Sequence, residues 1–357
     1  MFIDLIVGAR PNFMKIASLI PALEKNKINY RLVHTGQHYD KQMSQQFFDQ
    51  LNIPKPDINL ECGSGSQARQ TANIMIAYEN LLVDKPSKLC IVVGDVNSTM
   101  ACSIVAKKLL IPVAHIEAGI RSSDMEMPEE INRIVTDSIS DWFFTTSRSA
   151  AKNLKSIGVE KDKIFFVGNT MIDTLLSNLS RLKKPKFWNK LKLNSNNYIV
   201  LTLHRPSNVD KSIIFTKIIK SICQNTNNIP LIFPIHPRSK KSLKNIEDIS
   251  KNLFLVEPQP YLEFNYLVKN SLAVITDSGG ITEETTVLGI PCITIRDTTE
   301  RPETVELGTN ELVGINAEQI KLTLNRLMNN KWKKGSIPEK WDGKSCERIV
   351  KILQKII

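Results

Sequence analysis

The stretch LCIVVGDVNSTMACSIVAKKLLIPVAHIEAG, residues 89–119, holds two short apolar runs separated by a segment of helical length. Runs rich in β-branched residues that alternate with amphipathic helical stretches are typical of a parallel sheet covered by helices. A carboxylate follows each run, Asp95 after the first and Glu117 after the second. The stretch therefore predicts a strand–helix–strand unit with acidic groups just beyond its strands.

The same alternation continues in both directions and predicts an α/β fold of two similar, doubly wound Rossmann-like domains that face each other across a cleft. In such sheets, ligands bind beyond the carboxyl ends of the strands. The predicted strands are Phe2–Val7, Tyr30–His34, Leu89–Val93, Pro112–Ile116, Trp142–Thr145, Ile164–Val167, Tyr198–Leu203, Leu231–Ile235, Leu253–Val256, Leu272–Thr276 and Cys292–Ile295.

A chain of 357 residues is long for one core and suits two α/β domains. The segment Ser180–Asn197 contains Pro185 and many lysines and shows no apolar period, which indicates a hinge region. We therefore place the first domain at residues 1–175 and the second at residues 176–345. Residues 346–357 contain helical spacing and are predicted to pack back on the first domain.

Composition indicates a cytoplasmic globular protein, with 42% hydrophobic and 23% charged residues. The start, MFIDLIVGARPNF, lacks a basic n-region and is interpreted as a strand rather than a signal peptide. No apolar run approaches the roughly 18 residues of a membrane helix. The six cysteines form no CxxC pair and are expected to be reduced.

The net charge of +11 raises the possibility of a nucleic-acid partner. Basic residues are nevertheless spread along the chain, aromatic residues make up only 6%, and no stacking motif is present. A lysine-rich solvated surface is the favoured explanation. The same positive field would assist binding of a diphosphate.

Polar residues gather at the predicted strand ends. All five histidines, His34, His38, His115, His204 and His236, lie at or just beyond an apolar run along the chain. Asp95, Glu117 and the pair Glu129-Glu130 belong to the same edge. A carboxylate after a strand is often a helix N-cap. For Asp95 alone, a capping role and a catalytic role are about equally favoured. Three carboxylates on neighbouring loops instead favour general acid–base chemistry.

The second half carries a phosphate-binding signal, because Asp277-Ser278-Gly279-Gly280 ends one predicted strand and opens a helix. Glycines admit a close ligand, and a helix N-terminus offers free N–H groups to phosphate. Glu283 and Glu284, expected in the first turn, would also stabilise that helix end without a ligand. Arg10, Arg296 and Arg301 supply donors. Since no GxGxxG or P-loop is present, the pattern predicts a nucleotide diphosphate without a fixed metal.

Taken together and in this order, these motifs resemble the non-hydrolysing UDP-N-acetylglucosamine 2-epimerases, which have the two-domain GT-B fold. The resemblance spans nearly the whole chain. The matching pieces are GARPNFMK (8–15), HTGQHYD (34–40), GDVNST (94–99), HIEAGIRS (115–122), MPEEINR (127–133), GNTMIDT (168–174), HRPSNVD (204–210), HPR (236–238), DSGGITEE (277–284) and RDTTERPE (296–303).

The resemblance implies reversible epimerisation at C2 of UDP-N-acetylglucosamine to UDP-N-acetylmannosamine, through UDP elimination and a 2-acetamidoglucal intermediate. It also implies a role in cell-surface polysaccharide synthesis, a homodimer, and no nicotinamide or metal cofactor. The catalytic residues so implied are Asp95, Glu117, Glu129 and His204. Those implied for substrate or UDP binding are Arg10, Lys15, His236, Ser278, Gly279, Gly280, Glu284 and Arg301.

Departures from the family pattern bear on regulation and substrate. QHYDKQMSQQ (37–46) replaces a QHREMLDQ-like stretch linked to allosteric substrate activation, and LHRPSN replaces the GHRRE type. The TERPE run favours UDP-N-acetylglucosamine over uronic-acid sugars, and GARPN argues against the hydrolysing relatives. Two alternatives stay open: a GT-B glycosyltransferase with the same UDP pocket, and a non-enzymatic basic binding protein.

Overall fold

In the computed structural model, the described residues are 2–36, 47–210, 212–235 and 250–357. The chain divides into two units. The first comprises Met1–Asn178 together with Glu339–Ile357, and the second comprises Leu179–Pro338. Each unit contains its own sheet, so each is described by itself.

The sheet of the first unit has seven strands in the order β3-β2-β1-β4-β5-β6-β7. They are β1 Ile3–Val7, β2 Tyr30–His34, β3 Ile58–Asn59, β4 Cys90–Val93, β5 Val113–Ile116, β6 Trp142–Thr145 and β7 Ile164–Phe166. The pairings described are all parallel. The helices of this unit are α1 Arg10–Ile16, α2 Leu19–Lys25, α3 Gln67–Asp84, α4 Asn97–Lys108, α5 Pro128–Ile139, α6 Arg148–Ser156 and α7 Thr170–Asn178.

The sheet of the second unit repeats this topology with six parallel strands in the order β10-β9-β8-β11-β12-β13. They are β8 Ile199–Thr202, β9 Leu231–Pro234, β10 Leu253–Val256, β11 Ala273–Thr276, β12 Cys292–Thr294 and β13 Asn310–Leu312. Its helices are α8 Pro206–Val209, α9 Ser212–Gln224, α10 Tyr261–Lys269, α11 Gly279–Leu288, α12 Pro302–Glu306 and α13 Ala317–Met328. The last helix of the chain, α14 Ser345–Ile356, belongs to the first unit.

Both sheets have the Rossmann strand order, in which the chain starts at the middle and winds outward in two directions. Strand order therefore reverses between β1 and β4 in the first sheet and between β8 and β11 in the second. The central strands are buried on both faces, which explains why they are continuous apolar runs rather than alternating ones.

The C-terminal helix α14 is amphipathic and buries Ile349, Val350 and Leu353. Its start is fixed within the first unit, because the backbone N–H of Cys346 donates to Asp173 Oδ2 at 2.7 Å. The preceding loop is fixed as well, by a 3.0 Å hydrogen bond from Trp341 Nε1 to the Thr146 carbonyl.

All eleven strands predicted from the sequence are present, with ends that differ by at most one residue. Two strands were not predicted, β3 and β13, which have only two and three residues and lie at the sheet edges. Edge strands this short carry no apolar run for a sequence pattern to reveal. The segment interpreted as a hinge belongs to the second unit, where Trp188 is buried and packs edge-on against Tyr198 at 5.4 Å.

Among the residues that the structure describes, no helix combines the length and apolar character needed to span a bilayer.

Candidate active site

In each unit most candidate residues follow strands at or next to the point where the sheet order reverses. In the first unit they follow β1, β4 and β5, and in the second they follow β8 and β11. Crevices form at such points because the loops that leave two adjacent strands run to opposite faces of the sheet.

Glu117 directly follows β5 and has a left-handed backbone, with φ of 72°. A non-glycine residue rarely adopts this conformation, and such strained positions concentrate at functional sites. The side chain is buried and accepts a 2.7 Å hydrogen bond from Lys15 Nζ, which is buried too. A Cβ atom at Gly94 would lie 2.7 Å from that ammonium, and the φ of 70° at this position also favours glycine.

Asp95 follows β4 and accepts hydrogen bonds from side chains of helix α5. Its Oδ2 accepts from Arg133 Nη2 at 2.5 Å, and its carbonyl accepts from Asn132 Nδ2 at 2.9 Å. Arg133 also donates to Glu130 Oε2 at 2.9 Å. Burial raises the pKa of Glu130, but hydrogen bonds from Ser122 and Arg133 outweigh it, and the pKa lies below its ordinary value. Glu130 is thus an ionised anchor for Arg133.

A buried histidine–aspartate pair connects the turns that carry the two carboxylates. His115 Nδ1 lies 2.7 Å from Asp137 Oδ1, and its Nε2 lies 2.8 Å from the Gly94 carbonyl, one residue before Asp95. Asp137 Oδ2 accepts from the Gly119 N–H at 3.0 Å, two residues after Glu117. Burial raises the pKa of Asp137, and the hydrogen bond from His115 more than reverses this, leaving the pKa lowered.

The first strand-to-helix turn is held by Asn12. Its Oδ1 accepts from the backbone N–H groups of Gly8 and Ala9 at 3.0 and 3.1 Å, and its Nδ2 donates to the Val93 carbonyl at 2.8 Å. Arg10 begins α1, and its guanidinium carbon lies 4.9 Å from the ring centroid of Phe47. Burial lowers the pKa of Arg10, a sign of a desolvated cation.

Asp95, Glu117 and Lys15 are therefore brought together at one edge of the first sheet. Glu129 is exposed in the first turn of α5, next to Pro128, and has no hydrogen bond to Asp95, Glu117 or Lys15 among the described contacts.

In the second unit, the fully buried carboxylate of Asp277 follows β11 and holds the loop after β8. It accepts from the backbone N–H groups of His204 and Arg205 and from the side chains of His204 and Asn208. Burial raises the pKa of Asp277, and these hydrogen bonds, that of His204 first, bring it below its ordinary value.

Ser278 is the N-cap residue of α11, and Gly279 and Gly280 form its first two positions. The turn is close-packed, because a Cβ at Gly279 would lie 2.8 Å from Glu300 Oε1. Glu283 and Glu284 lie in the second turn of α11 and not in the first, so the expectation that they stabilise the helix end is wrong.

Three arginines surround this helix end. Arg296 Nη2 lies 2.7 Å from Glu300 Oε2, and Arg205 Nη2 lies 3.7 Å from Glu300 Oε1. Burial raises the pKa of Glu300, but the cationic groups, Arg296 first, hold it far below its ordinary value. Arg301 is buried and forms an ion pair with Glu283.

Glu284 is buried without a cationic partner among these arginines. It accepts from Tyr261 Oη at 3.2 Å and from Asn265 Nδ2 at 3.4 Å. Burial first, and then nearby Glu283, raise its pKa to about 7, although the hydrogen bonds from Tyr261 and Asn265 act in the lowering direction. The carboxyl group therefore titrates near neutral pH.

The described histidines have three different environments. His34 packs in an aromatic cluster with Phe13 and Phe48, at centroid distances of 5.5 and 6.3 Å. His115 is fully buried, and the His204 side chain is 41% exposed. His38 and the predicted binding residue His236 lie outside the described residues, as does the stretch 37–46.

The residues that sequence reasoning missed are those that hold the others in place. Four of them lie within the family motifs, which mark these positions but do not say what the side chains do: Asn12, Arg133, Asn208 and Glu300. Asp137 lies in no such motif, and only the folded structure brings it to His115. Across the described ranges, the His, Cys, Asp and Glu side chains form no group that could hold a metal ion.

Comparison with known proteins gives consistent matches over the whole chain. The family model described as UDP-N-acetylglucosamine 2-epimerase matches residues 21–354. The UDP-N-acetylglucosamine 2-epimerase of Methanocaldococcus jannaschii is 43% identical, with 99% of each chain covered. The UDP-2,3-diacetamido-2,3-dideoxy-D-glucuronate 2-epimerase of Pseudomonas aeruginosa is 39% identical, with 88% of this chain and 89% of that protein covered.

Solved structures agree. The crystal structure of the M. jannaschii UDP-GlcNAc 2-epimerase in complex with UDP-GlcNAc and UDP has a TM-score of 0.89 at 42% identity, covering 99% of this chain and 100% of that one. The prediction of an α/β fold with two Rossmann-like domains of the GT-B type is thereby confirmed.

The raised pKa of Glu284 predicts a pH-dependent stability change in Glu284→Gln. A carboxyl whose pKa rises from 4.5 to about 7 on folding contributes stability that is complete below pH 4.5 and lost as pH rises through 7. The glutamine variant lacks this loss. Its unfolding free energy relative to wild type should increase by about 3 kcal/mol from about pH 4 to about pH 8.

Denaturant unfolding at several pH values measures this difference. Glu318→Gln, at an exposed position of the same unit, is the matched control and should show no such change. A Glu284→Gln difference that is independent of pH would contradict the assignment.

Proposed function

The chain belongs to the UDP-N-acetylglucosamine 2-epimerase family of isomerases, and on that premise we propose that it interconverts UDP-N-acetylglucosamine and UDP-N-acetylmannosamine through a 2-acetamidoglucal intermediate. The observation that carries the proposal is the pair of carboxylates, Asp95 and Glu117, at adjacent strand ends of the first unit, each bound to a buried cation.

The reaction needs an unusual route because C2 of the sugar has no adjacent carbonyl, so its hydrogen is not acidic. Departure of UDP breaks the C1–O bond, and the electron pair leaves with the diphosphate. The oxocarbenium-like C1 then allows the C2–H bond to break, its electrons form the C1=C2 bond, and a carboxylate takes the proton. Protonation of C2 on the other face and return of UDP to C1 complete the inversion. The overall reaction is redox-neutral and needs no nicotinamide.

Glu117 and Asp95 are proposed to exchange the C2 proton and to stabilise positive charge at C1. The ion pair with Lys15 fixes the direction of the Glu117 carboxylate, and the bond from Arg133 does the same for Asp95. Fixed charges of this kind need little reorganisation as the sugar becomes cationic. Arg10, a desolvated cation beside the same turn, is proposed to bind the substrate.

Glu129 is proposed as the third carboxylate, a role that its exposed position in the first turn of α5 leaves accessible. It precedes Glu130 and lies on the same helix as Arg133, so helix α5 carries both the anchor of Asp95 and a second acid–base group.

The second unit is proposed to bind UDP. The diphosphate is placed at Ser278, Gly279 and Gly280, where the N–H groups and dipole of a ten-residue helix favour negative charge. Glu284 is proposed to accept the ribose hydroxyls, and Arg301, at the N-cap of α12, to contribute to the same pocket. His204 is proposed to contact the leaving diphosphate or the pyranose. His236 is retained in the binding set from the family pattern alone.

Product use and location are proposed on the basis of the family assignment. We propose that UDP-N-acetylmannosamine supplies cell-surface polysaccharide synthesis and that the enzyme works in the cytoplasm. The six cysteines support a reducing compartment, since all of them are free thiols, five of them buried.

A homodimer is proposed through the first unit. Its helices α3, α4 and α5 pack side by side and expose the apolar side chains of Ile76, Val83, Ile131 and Ile134. We take these exposed apolar side chains as the candidate interaction surface. The wild-type protein should sediment as a dimer, and Ile76→Lys/Val83→Lys should shift it toward monomer. Sedimentation of the wild type as a monomer would disprove the proposal.

Incubation with UDP-N-acetylglucosamine in D2O, without added metal or nicotinamide, tests the function directly. Proton NMR should show UDP-N-acetylmannosamine that carries deuterium at C2. Accumulation of free N-acetylmannosamine and UDP would instead indicate a hydrolysing enzyme. Exchange only in a 2,3-diacetamido uronic-acid nucleotide would transfer the proposal to the substrate named for the P. aeruginosa relative.

Glu117→Gln should lower kcat for C2 exchange by roughly 10²–10³-fold, because it keeps the size of the side chain and removes the group that takes the proton. The dissociation constant for UDP, measured by calorimetry, should stay within a factor of about two, since UDP is assigned to the other unit. Lys163→Met, which removes an exposed ion pair of the first unit, is the control. Wild-type turnover in Glu117→Gln would remove this residue from the catalytic set.

A further inference from the structure

Asp277 stands immediately before the glycine turn of the second unit, yet its carboxylate does not face that turn as a ligand group. It is fully buried and lies between the loop after β8 and the start of α11. Its oxygens accept from the backbone N–H groups of His204 and Arg205 at 3.0 and 2.9 Å, and from Asn208 Nδ2 at 3.0 Å. A carboxylate surrounded by protein donors in this way holds the loop after β8 in place and does not bind substrate itself.

The remaining donor is the imidazole ring of His204. Its Nδ1 lies 2.9 Å from Asp277 Oδ1. An ionised carboxylate can only accept, so Nδ1 must carry a proton in the neutral ring as well as in the imidazolium. The backbone N–H of the same residue donates to the same carboxylate, so both the ring and its attachment point are fixed.

This arrangement directs the other ring nitrogen, Nε2, away from Asp277. The side chain is 41% exposed, so the ring is accessible to a ligand. Asp277 connects the loop that carries this ring to the turn formed by Ser278 and Gly279, because it accepts from the first and directly precedes the second. The other charged group of this loop, Arg205, is turned toward the Asp277 carbonyl at 3.1 Å and toward Glu300.

We propose that Asp277 is a positioning residue, which acts through Nδ1 to fix the tautomer and orientation of His204 so that Nε2 faces the departing diphosphate of UDP. The inference rests on the proposed function. It assigns a role to the first residue of the DSGG motif, where the sequence pattern predicted only a phosphate turn.

The chemistry follows from the charge that UDP gains as it leaves. When the C1–O bond breaks, the electron pair moves to the β-phosphate oxygen. An Nε2–H of the His204 imidazolium donates a hydrogen bond to that oxygen, and Asp277 stabilises the imidazolium on its other side. No bond to His204 is formed or broken, and the reverse step restores the same state. Without the carboxylate, the ring would be free to rotate and to exchange tautomers.

The first test uses the wild-type protein alone. Long-range ¹H–¹⁵N spectra of histidine-labelled enzyme report which ring nitrogen carries the proton, and comparison with His204→Asn identifies the His204 signals. We expect the neutral ring to carry its proton on Nδ1. A proton on Nε2 in the neutral ring would overturn the proposal without reference to activity.

The second test separates the two ring nitrogens. His204→Asn places an amide nitrogen near the position of Nδ1, and so can keep the contact with Asp277 while it lacks Nε2. His204→Gln places its amide nitrogen near Nε2 instead. We expect kcat for C2 exchange to fall by roughly 10²–10³-fold in His204→Asn and by clearly less in His204→Gln. Equal activity of His204→Asn and wild type would show that Nε2 has no function.

The third test concerns Asp277 itself. Asp277→Asn should lower kcat by about 10²-fold with little change in KM, and should move the neutral tautomer of His204 away from Nδ1–H. Asn252→Ala is the control, since it removes buried hydrogen bonds at the opposite end of the same sheet and should leave kcat unchanged at a comparable loss of melting temperature. An equal loss of kcat in both variants would show a merely structural role.

If the wild type exchanged no C2 hydrogen, the proposed function would fail, while the tautomer result would stand independently.

Discussion

A carboxylate that is removed from water must collect donors from the protein, and this constraint organises the candidate site residues of each unit. Leaving an ion unpaired in the interior costs several kcal/mol, so groups that could donate to it turn toward it. Asp137 collects His115, Arg121 and a backbone N–H in the first unit. Asp277 collects four donors in the second. In each case the collected groups belong to the loops that carry the proposed chemistry.

The consequence is preorganisation. In the first unit, the His115–Asp137 pair reaches the turn before Asp95 through Gly94 and the turn after Glu117 through Gly119. The two turns therefore cannot move independently, and the strained backbone of Glu117 is supported from both sides. Charges held in this way stabilise a developing cation without first having to reorient, which is the largest contribution that many active sites make.

The charged groups of the two units differ in kind. The first pairs its carboxylates with buried cations, Lys15 with Glu117 and Arg133 with Asp95. The second gathers Arg205, Arg296 and Arg301 around a helix N-terminus and compensates them with Glu283 and Glu300. A sugar that becomes cationic suits the first environment, and a diphosphate that becomes more anionic suits the second. Glu284 differs from both, since it is buried with no cationic partner among the described residues, and its pKa is raised to about 7.

The sequence alone determined the architecture, because central strands of parallel sheets are apolar on both faces. Each strand and each helix can therefore be recognised from the apolar pattern of its own residues. It also determined the strand ends at which Asp95, Glu117, His204 and Asp277 lie, and the motif order that indicates the family. Only the tertiary structure decided which groups meet. Asp137 is twenty-two residues from His115, and Asp277 is seventy-three from His204, so no local pattern predicts either contact. The same holds for Glu284, whose neighbours come from another helix. Local propensity fixes where an element begins and ends, whereas the partners of a buried charge are set by the packing of elements that are distant in the chain.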